Sequence, residues 1–157
     1  MEHVAIMRKS LGFLEKISEG SKKIESRWYI TKYAPWGKIR EGDVIYFKNS
    51  GEPITIKSNV KRVEFYSDLK PDKAEELLLK YGPEDGIGIE NIGDFYQSVK
   101  DKKYCILVFL SNVENVEPFE IDKSGFGAMS SWISVKDVNS IKKGSDTLIK
   151  QTQILEY

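Results

Sequence analysis

The sequence has little cysteine or histidine: each occurs once among its 157 residues, as Cys105 and His3. A lone cysteine cannot form an internal disulfide, and one Cys with one His cannot complete a Cys/His zinc site. We therefore expect no metal and no cofactor. The lack of a disulfide framework also favours a reducing, cytoplasmic setting.

Long apolar runs are missing as well. The longest covers residues 104–110, far short of the roughly 20 residues that cross a bilayer, and the first eight residues lack the basic-then-apolar order of a secretory signal. With five prolines, twelve glycines and no low-complexity stretch, we expect a folded protein with no membrane partner. The length predicts one domain over 1–157, with a core over 3–135 and a C-terminal extension over 140–157.

The chain has no net charge, but its charges are distributed unevenly. Residues 1–62 hold thirteen lysines and arginines against seven acidic residues, and residues 63–157 hold eleven against seventeen. This asymmetry is typical of a protein with one basic face, the electrostatic footprint of phosphate binding. The alternative is a chance segregation that folding intermixes.

Hydrophobic periodicity predicts an α+β domain with short strands suited to a small β-barrel and with flanking helices. Ser10 is expected to cap the first helix, and Gly20 to end it. The predicted helices cover residues 10–20, 72–81 and 90–99, and the predicted strands cover residues 3–7, 23–33, 43–48, 54–66, 104–110, 119–121 and 132–135.

The most informative stretch lies between the first helix and the second strand and reads Gly20-Ser21-Lys22-Lys23-Ile24-Glu25-Ser26-Arg27. A strand places Glu25, Arg27 and Tyr29 on one face, because side chains alternate along it. A carboxylate beside a guanidinium orients the Arg fork for a phosphate or carboxylate, and Lys22 adds a point charge. The alternative is a structural ion pair beside a solvated lysine.

This stretch resembles the G-x-K-x-x-E-x-R pattern of ASCH domains, which are small PUA-like β-barrels. The resemblance extends through the runs 34–39 and 42–51 and to the strand at 132–135. It implies a PUA-like barrel whose motif residues line a cleft for RNA or a nucleoside-like small molecule; the oligomeric state is left open. The residues expected in that cleft are Lys22, Glu25, Arg27, Tyr29, Lys32, Trp36, Lys48 and Trp132.

Aromatic residues interleave with basic ones over residues 27–38, a mixture that suits single-stranded RNA because bases stack on rings while cations meet phosphates. Trp28 is expected in the core, and Trp36 either in the core or at the ligand. Trp132 follows a Gly/Ser-rich loop and is a candidate cleft wall.

An enzyme is the second hypothesis, with Lys22 and Glu25 as candidate catalytic residues. Small ASCH proteins that hydrolyse N4-acetylcytidine resemble this motif but have a Thr nucleophile where this chain has Glu25, so the same amidohydrolase chemistry is in doubt. Ribonuclease activity has also been proposed within the family. A third hypothesis is a protein-interaction module of the co-regulator type. His3 is expected to be structural or at the surface.

Overall fold

The fold is described from a computed structural model, which describes residues 1–144. Three α-helices and six strands follow one another, with single 3-10 turns at Lys9–Leu11, Ile89–Asn91 and Val138–Ile141. In chain order the elements are β1 Glu2–Met7, α1 Phe13–Glu19, β2 Ile24–Tyr29, β3 Val44–Asn49, β4 Ile54–Tyr66, α2 Pro71–Tyr81, α3 Ile92–Val99, β5 Tyr104–Phe119 and β6 Trp132–Val135.

The six strands form one sheet in the order β2-β5-β4-β3-β1-β6. β1 pairs with β3 in parallel, and every other neighbouring pair is antiparallel. β4 and β5 are long and carry several register shifts, which bend strands and increase their twist. The sheet therefore curls into a half-barrel, and the predicted α+β class with a small curled barrel and flanking helices is confirmed.

The inner face of the sheet encloses the main core. Alternate residues of β4, such as Ile56 and Val60, point inward to meet Ile45 and Phe47 of β3 and Val108 of β5. A second cluster around Val4, Ile6 and Ile133 lies on the opposite face of β1 and β6. Helix α2 buries Leu77 against Ile24 and Leu107 on the outer face of β2 and β5. Strand alternation thus sends neighbouring residues into different cores.

Three details of the predicted elements need correction. The second strand ends at Tyr29 rather than at residue 33. Ser10 lies inside a 3-10 turn and does not cap α1; Gly12 takes that position. β5 continues to Phe119, so the separate strand predicted at 119–121 is the end of β5 followed by an isolated bridge between Ile121 and Lys142. Gly20 ends α1 with φ of 87°, as predicted, because a left-handed residue there satisfies the last helical carbonyls.

Of the predicted C-terminal extension over 140–157, the structure describes residues 140–144. Residues 140–144 return to the sheet, where the Lys143 amide donates to the Glu120 carbonyl at 2.8 Å; residues 145–157 lie outside the described part of the chain. Over residues 1–144, none of the helices combines the length and apolar character needed to span a bilayer.

Candidate ligand cleft

The barrel is open along one line, which we call the seam: the gap between the edge strands β2 and β6. Arg27 of β2 crosses the seam. Its Nη1 donates to the carbonyl and hydroxyl oxygens of Ser131, both at 3.2 Å, and its Nη2 donates to the Ile6 carbonyl at 3.4 Å. A side chain thus bridges the seam where backbone pairing stops.

A cavity of about 620 Å³ opens at the seam, and we call it the seam cleft. Tyr29 and Tyr33 form one wall, from the end of β2 and the loop after it; Phe126, from the loop before β6, and Trp132, the first residue of β6, form the other. The remaining lining residues are Ala34 and the segment 127–131. The cleft is therefore aromatic on both sides, and its volume falls within the roughly 300–1,000 Å³ of small-molecule sites.

Two polar side chains lie in the wall of this cleft or directly beside it: Tyr29 is a lining residue, and Arg27 lies against the Trp132 ring. The Tyr29 hydroxyl donates to the Ala34 carbonyl at 3.0 Å, and burial raises the pKa of Tyr29, although the nearby Arg27 cation opposes that shift. The Arg27 guanidinium lies 5.1 Å from the centre of the Trp132 ring. Its charge is matched by Glu25, whose Oε2 is 3.2 Å from Nη2. Glu25, Arg27 and Tyr29 thus share one face of β2, as the alternation predicted.

The Trp132 wall is fixed by a buried histidine. The Trp132 indole N–H donates to Nδ1 of His3 at 3.1 Å, and the Ser134 hydroxyl shares the same acceptor at 2.8 Å. On the other side of the ring, Nε2–H donates to Asp43 at 2.8 Å. Burial lowers the pKa of His3, with Asp43 opposing that shift. A neutral His3 is required for this arrangement, because an imidazolium has no free acceptor nitrogen.

Lys22, the motif lysine, is enclosed by acceptors rather than directed into the seam cleft. Its Nζ donates to the carbonyl oxygen and to Oδ1 of Asp85, both at 2.6 Å, and lies 3.4 Å from Glu25. These three acceptors match the three N–H groups of an ammonium. Burial alone would lower the pKa of Lys22, but Asp85 and Glu25 outweigh it and the pKa is raised. Lys22 is therefore a charged, fully partnered buried cation.

The loop between α2 and α3 builds this enclosure. Lys23 and Ile24 donate their amides to the Glu84 carbonyl at 2.7 and 3.0 Å, which anchors the loop to the start of β2. Gly86 has φ of 82°, and a Cβ added there would come within 3.2–3.3 Å of the aliphatic stem of Lys22. The loop thus needs glycine both for its backbone conformation and for its close approach to Lys22.

Asp85 links the buried cluster to the outer face of β2. Its second carboxylate oxygen accepts a short hydrogen bond from the Ser26 hydroxyl, which in turn accepts from the Trp28 indole at 3.0 Å. The cluster therefore holds two cations, Lys22 and Arg27, and two carboxylates, Glu25 and Asp85. Its formal charge is balanced, and this explains why four ionised groups are tolerated with so little exposure.

Lys32 and Trp36 lie beside the seam cleft rather than in its wall. Trp36 packs edge-on against Phe65 and Tyr104, with ring centres 5.2 Å apart in each pair. The Lys32 ammonium lies 5.7 Å from the centre of the Trp36 ring and 5.5 Å from that of Tyr104. This surface patch is adjacent to the cleft through Tyr33, whose carbonyl accepts the Trp36 amide.

Lys48 lies on a different face of the sheet. Phe47 enters the main core, so its neighbour Lys48 points to the opposite side, where Ile6 and Ile121 line a separate pocket with it. Of the eight residues expected at the ligand, the structure thus gathers Glu25, Arg27, Tyr29 and Trp132 at the seam. Lys22 is placed behind them, Lys32 and Trp36 at the rim, and Lys48 elsewhere.

Two residues of the site, Asp85 and Phe126, carried no sequence signal strong enough to identify them. Asp85 is 63 residues from its partner Lys22, and Phe126 reaches the cleft from the loop before β6. Tyr33 belongs to the aromatic and basic stretch 27–38 but was not among the residues expected in the cleft. The sole hint was the pair Gly86 and Gly88, which marks a loop with special backbone needs. No group of three or more metal-ligating side chains occurs among residues 1–144.

The chain folds into a curled half-barrel with flanking helices and an open seam. The structure is similar to the crystal structure of ASCH from Zymomonas mobilis, with a TM-score of 0.62 and 14% identity over 95% of this chain and 94% of that chain. Two mutants of that protein match with the same TM-score and 13% identity. The Tyr-to-Phe mutant covers 95% of this chain and 96% of its own chain. The Ser-to-Ala mutant covers 96% of this chain and 95% of its own chain. A scan against protein-family models and a search of curated proteins found no match. The chain therefore has the ASCH fold, as the motif over residues 20–27 predicted.

Proposed function

We propose that the seam cleft binds a nucleobase, presented by single-stranded RNA or by a nucleoside-like small molecule. The observation that carries the proposal is the pairing of aromatic walls from both edges of the seam, Tyr29 and Tyr33 opposite Phe126 and Trp132. Bases stack on such rings with about 1–3 kcal/mol each and with little dependence on sequence.

The polar groups near the cleft support a base more than a bare phosphate. Arg27 is already paired with Glu25 and bonded to Ser131, so little of its charge is free for an anion. The Tyr29 and Ser131 hydroxyls, which line the cleft, instead offer directional hydrogen bonds at the edge of a stacked ring. Lys32 at the rim is the exposed cation closest in sequence to the wall residue Tyr33, and it is the group we assign to a backbone phosphate.

Lys22 and Glu25 act, in this proposal, as positioning residues. Lys22 has its three N–H groups directed at acceptors, and Glu25 bridges Lys22 to Arg27. Such a saturated cluster fixes the orientation of Arg27 but leaves no free base or donor for a substrate. We therefore favour binding over the amidohydrolase or ribonuclease reaction in which Lys22 and Glu25 would be catalytic.

The proposal is tested by removing the aromatic rings while keeping apolar side chains. In the double variant Tyr33→Leu/Phe126→Leu we expect the affinity for a short fluorescent single-stranded RNA, measured by anisotropy at low and moderate salt, to fall by about 5- to 100-fold. Both side chains are partly exposed at the cleft mouth, so the fold should tolerate the change.

The matched control is Tyr33→Phe/Phe126→Tyr, which keeps both rings and is expected to bind like the wild type. Equal losses in the two double variants would contradict stacking. If the wild type shows no RNA binding even at low salt, the RNA form of the proposal is wrong; free nucleosides are then titrated against the intrinsic fluorescence of the three tryptophans, one of which is the wall residue Trp132. Absence of binding there as well would refute the nucleobase site altogether.

A further inference from the structure

A second pocket, of about 470 Å³, lies on the outer face of β1 and β3, and we call it the Lys48 pocket. Lys48 of β3 forms its base and is only 6% exposed. A register shift between Phe47 and Lys48 distorts the pairing of β3 with β4 at this point. Such bulges redirect side chains, and here the redirected side chain lines a polar hollow.

Lys48 differs from Lys22 in having no counter-ion. Within residues 1–144 its ammonium makes neither a hydrogen bond nor an ion pair. Burial lowers the pKa of Lys48; the charge of Glu120 opposes this shift, and the charges of Lys123 and Lys143 add to it. The Lys48 ammonium is not fully enclosed, because Asn49 Oδ1 is the one fully buried side-chain polar atom without a partner among residues 1–144. A largely buried cation that opens onto a pocket and has no ion pair there can be reached by an anion that enters the pocket.

The walls of the pocket carry further cations. Lys123 and Lys143 line it together with the Ser50 and Ser124 hydroxyls. Neither acidic side chain in the lining forms an ion pair with Lys48 in the described part of the chain, although the charge of Glu120 opposes the lowering of the Lys48 pKa. Glu120 is exposed and forms no ion pair in the part of the chain described, and Asp122 already accepts the Ser124 amide at 2.8 Å, which lowers the pKa of Asp122.

We propose that the Lys48 pocket binds a phosphate group, with Lys48 as the buried anchor, Lys123 and Lys143 as outer cations, and Ser124 as a hydroxyl donor. Three ammonium groups and two hydroxyls around one hollow are the donors that a tetrahedral oxyanion accepts from. This site is independent of the seam cleft, because it lies on the opposite face of the sheet.

The phosphate has two possible sources with the same chemistry. The loop that supplies Lys123 and Ser124 continues directly into Phe126 of the seam cleft. A strand of RNA that crosses this loop would bring a backbone phosphate to Lys48, whereas a phosphorylated small molecule would enter the pocket alone. The experiment below includes one arm for each source.

The test is an NMR titration of the full chain with inorganic phosphate, following the backbone amides of Lys48, Gly51 and Ser124. We expect saturable shifts in the wild type and at least a tenfold weaker dissociation constant in Lys48→Met, since the charge-assisted bond is lost while the side-chain volume is kept. Lys61→Met, an exposed lysine on β4, is the control and should bind like the wild type. If Lys48→Met fails to fold, Lys123→Ala/Lys143→Ala is expected to weaken binding in the same titration.

The second arm measures single-stranded RNA affinity for the same variants. Loss of both phosphate and RNA binding in Lys48→Met supports a nucleic-acid phosphate, and loss of phosphate binding alone supports a small phosphorylated ligand. Shifts that never saturate, or saturable shifts that Lys48→Met and Lys123→Ala/Lys143→Ala leave unchanged, would overturn the proposal. The phosphate titration does not involve the aromatic walls, so a negative result there would not contradict the proposed nucleobase site in the seam cleft. A negative result for the nucleobase site would likewise not contradict phosphate binding in the Lys48 pocket.

Discussion

Replacing Asp85 by Asn should strongly destabilise the protein, although the change is one atom in a loop. Asp85 and Lys22 have side chains that are 5% and 0% exposed, and their charged atoms are 2.6 Å apart. At that separation, two unit charges attract by about 6 kcal/mol if the effective dielectric constant is about 20. Asparagine removes this attraction and leaves the buried cluster with two cations and one carboxylate.

The free energy of unfolding should fall by less than this attraction, because folding of the variant no longer has to remove water from the Asp85 carboxylate. Breaking one partner of a buried ion pair costs about 3–5 kcal/mol. For a chain of this size that corresponds to a decrease in Tm of about 6–20 °C. Urea unfolding followed by tryptophan fluorescence measures the free energy of unfolding directly, and Glu84→Gln, an exposed carboxylate in the same loop, is the control that should change by less than about 0.5 kcal/mol.

The double variant Lys22→Met/Asp85→Asn separates charge from packing. With both charges gone, Glu25 and Arg27 remain as a balanced pair 3.2 Å apart, and the double variant should recover much of the stability that Asp85→Asn loses. A cost below about 1 kcal/mol for Asp85→Asn would refute the argument. Additive losses in the double variant would refute it equally, since they would show that the two residues do not interact.

Two further predictions concern the wall and the loop of the site. Because burial holds the pKa of His3 below its ordinary value of 6.5, the unfolded chain binds a proton that the folded chain does not, so stability should fall as pH decreases below 6.5, by up to about 1.4 kcal/mol per pH unit. The pKa of Asp43 is also lowered, so its protonation reduces stability only in more acidic solution. Between these two pH ranges, His3→Gln should flatten the dependence of the free energy of unfolding on pH. Urea unfolding at several pH values measures this dependence, and an unchanged slope in His3→Gln would contradict a buried neutral imidazole. Gly86→Ala should lower the free energy of unfolding by about 1–2 kcal/mol because of its positive φ alone, and the contact of the new Cβ with Lys22 adds to this loss. Gly93→Ala is the control: it lies in α3 with no atom within 4 Å of the added Cβ, and it should stabilise the protein by roughly 0.5–1 kcal/mol. Thermal unfolding compares the two variants, and equal effects would show that Gly86 is not constrained.

The resemblance of residues 20–27 to ASCH domains anticipated the fold, and simple alternation anticipated the shared face of Glu25, Arg27 and Tyr29. These inferences are local. Positive φ at Gly20 follows from how helices end, and the face of a strand follows from its period of two residues. The strand limits at Ile54–Tyr66 and the helix at Pro71–Tyr81 were likewise predictable from pattern, because one buried face imposes its period on the sequence.

The partner of Lys22 depended on contacts that no local pattern encodes. The motif suggested a cation available to a ligand, but the loop between α2 and α3 brings Asp85 from 63 residues away and uses that charge inside the protein. Charges from the two unequal halves of the chain meet in the same way, as Lys57 and Glu114 do at 3.9 Å across β4 and β5. Composition reports how many charges exist, whereas the fold decides which of them remain free.

The sequence by itself determined the class of fold, the limits of most elements and the face on which the motif side chains lie, because these follow from chain geometry within a few residues. Only the tertiary structure decided that the barrel stays open between β2 and β6, that Phe126 and Trp132 lie opposite Tyr29 and Tyr33, and that Lys48 faces a different pocket. Those outcomes depend on strand order and register. A shift of one residue or one strand moves a side chain to the other face of the sheet, and nothing in the local sequence fixes that choice.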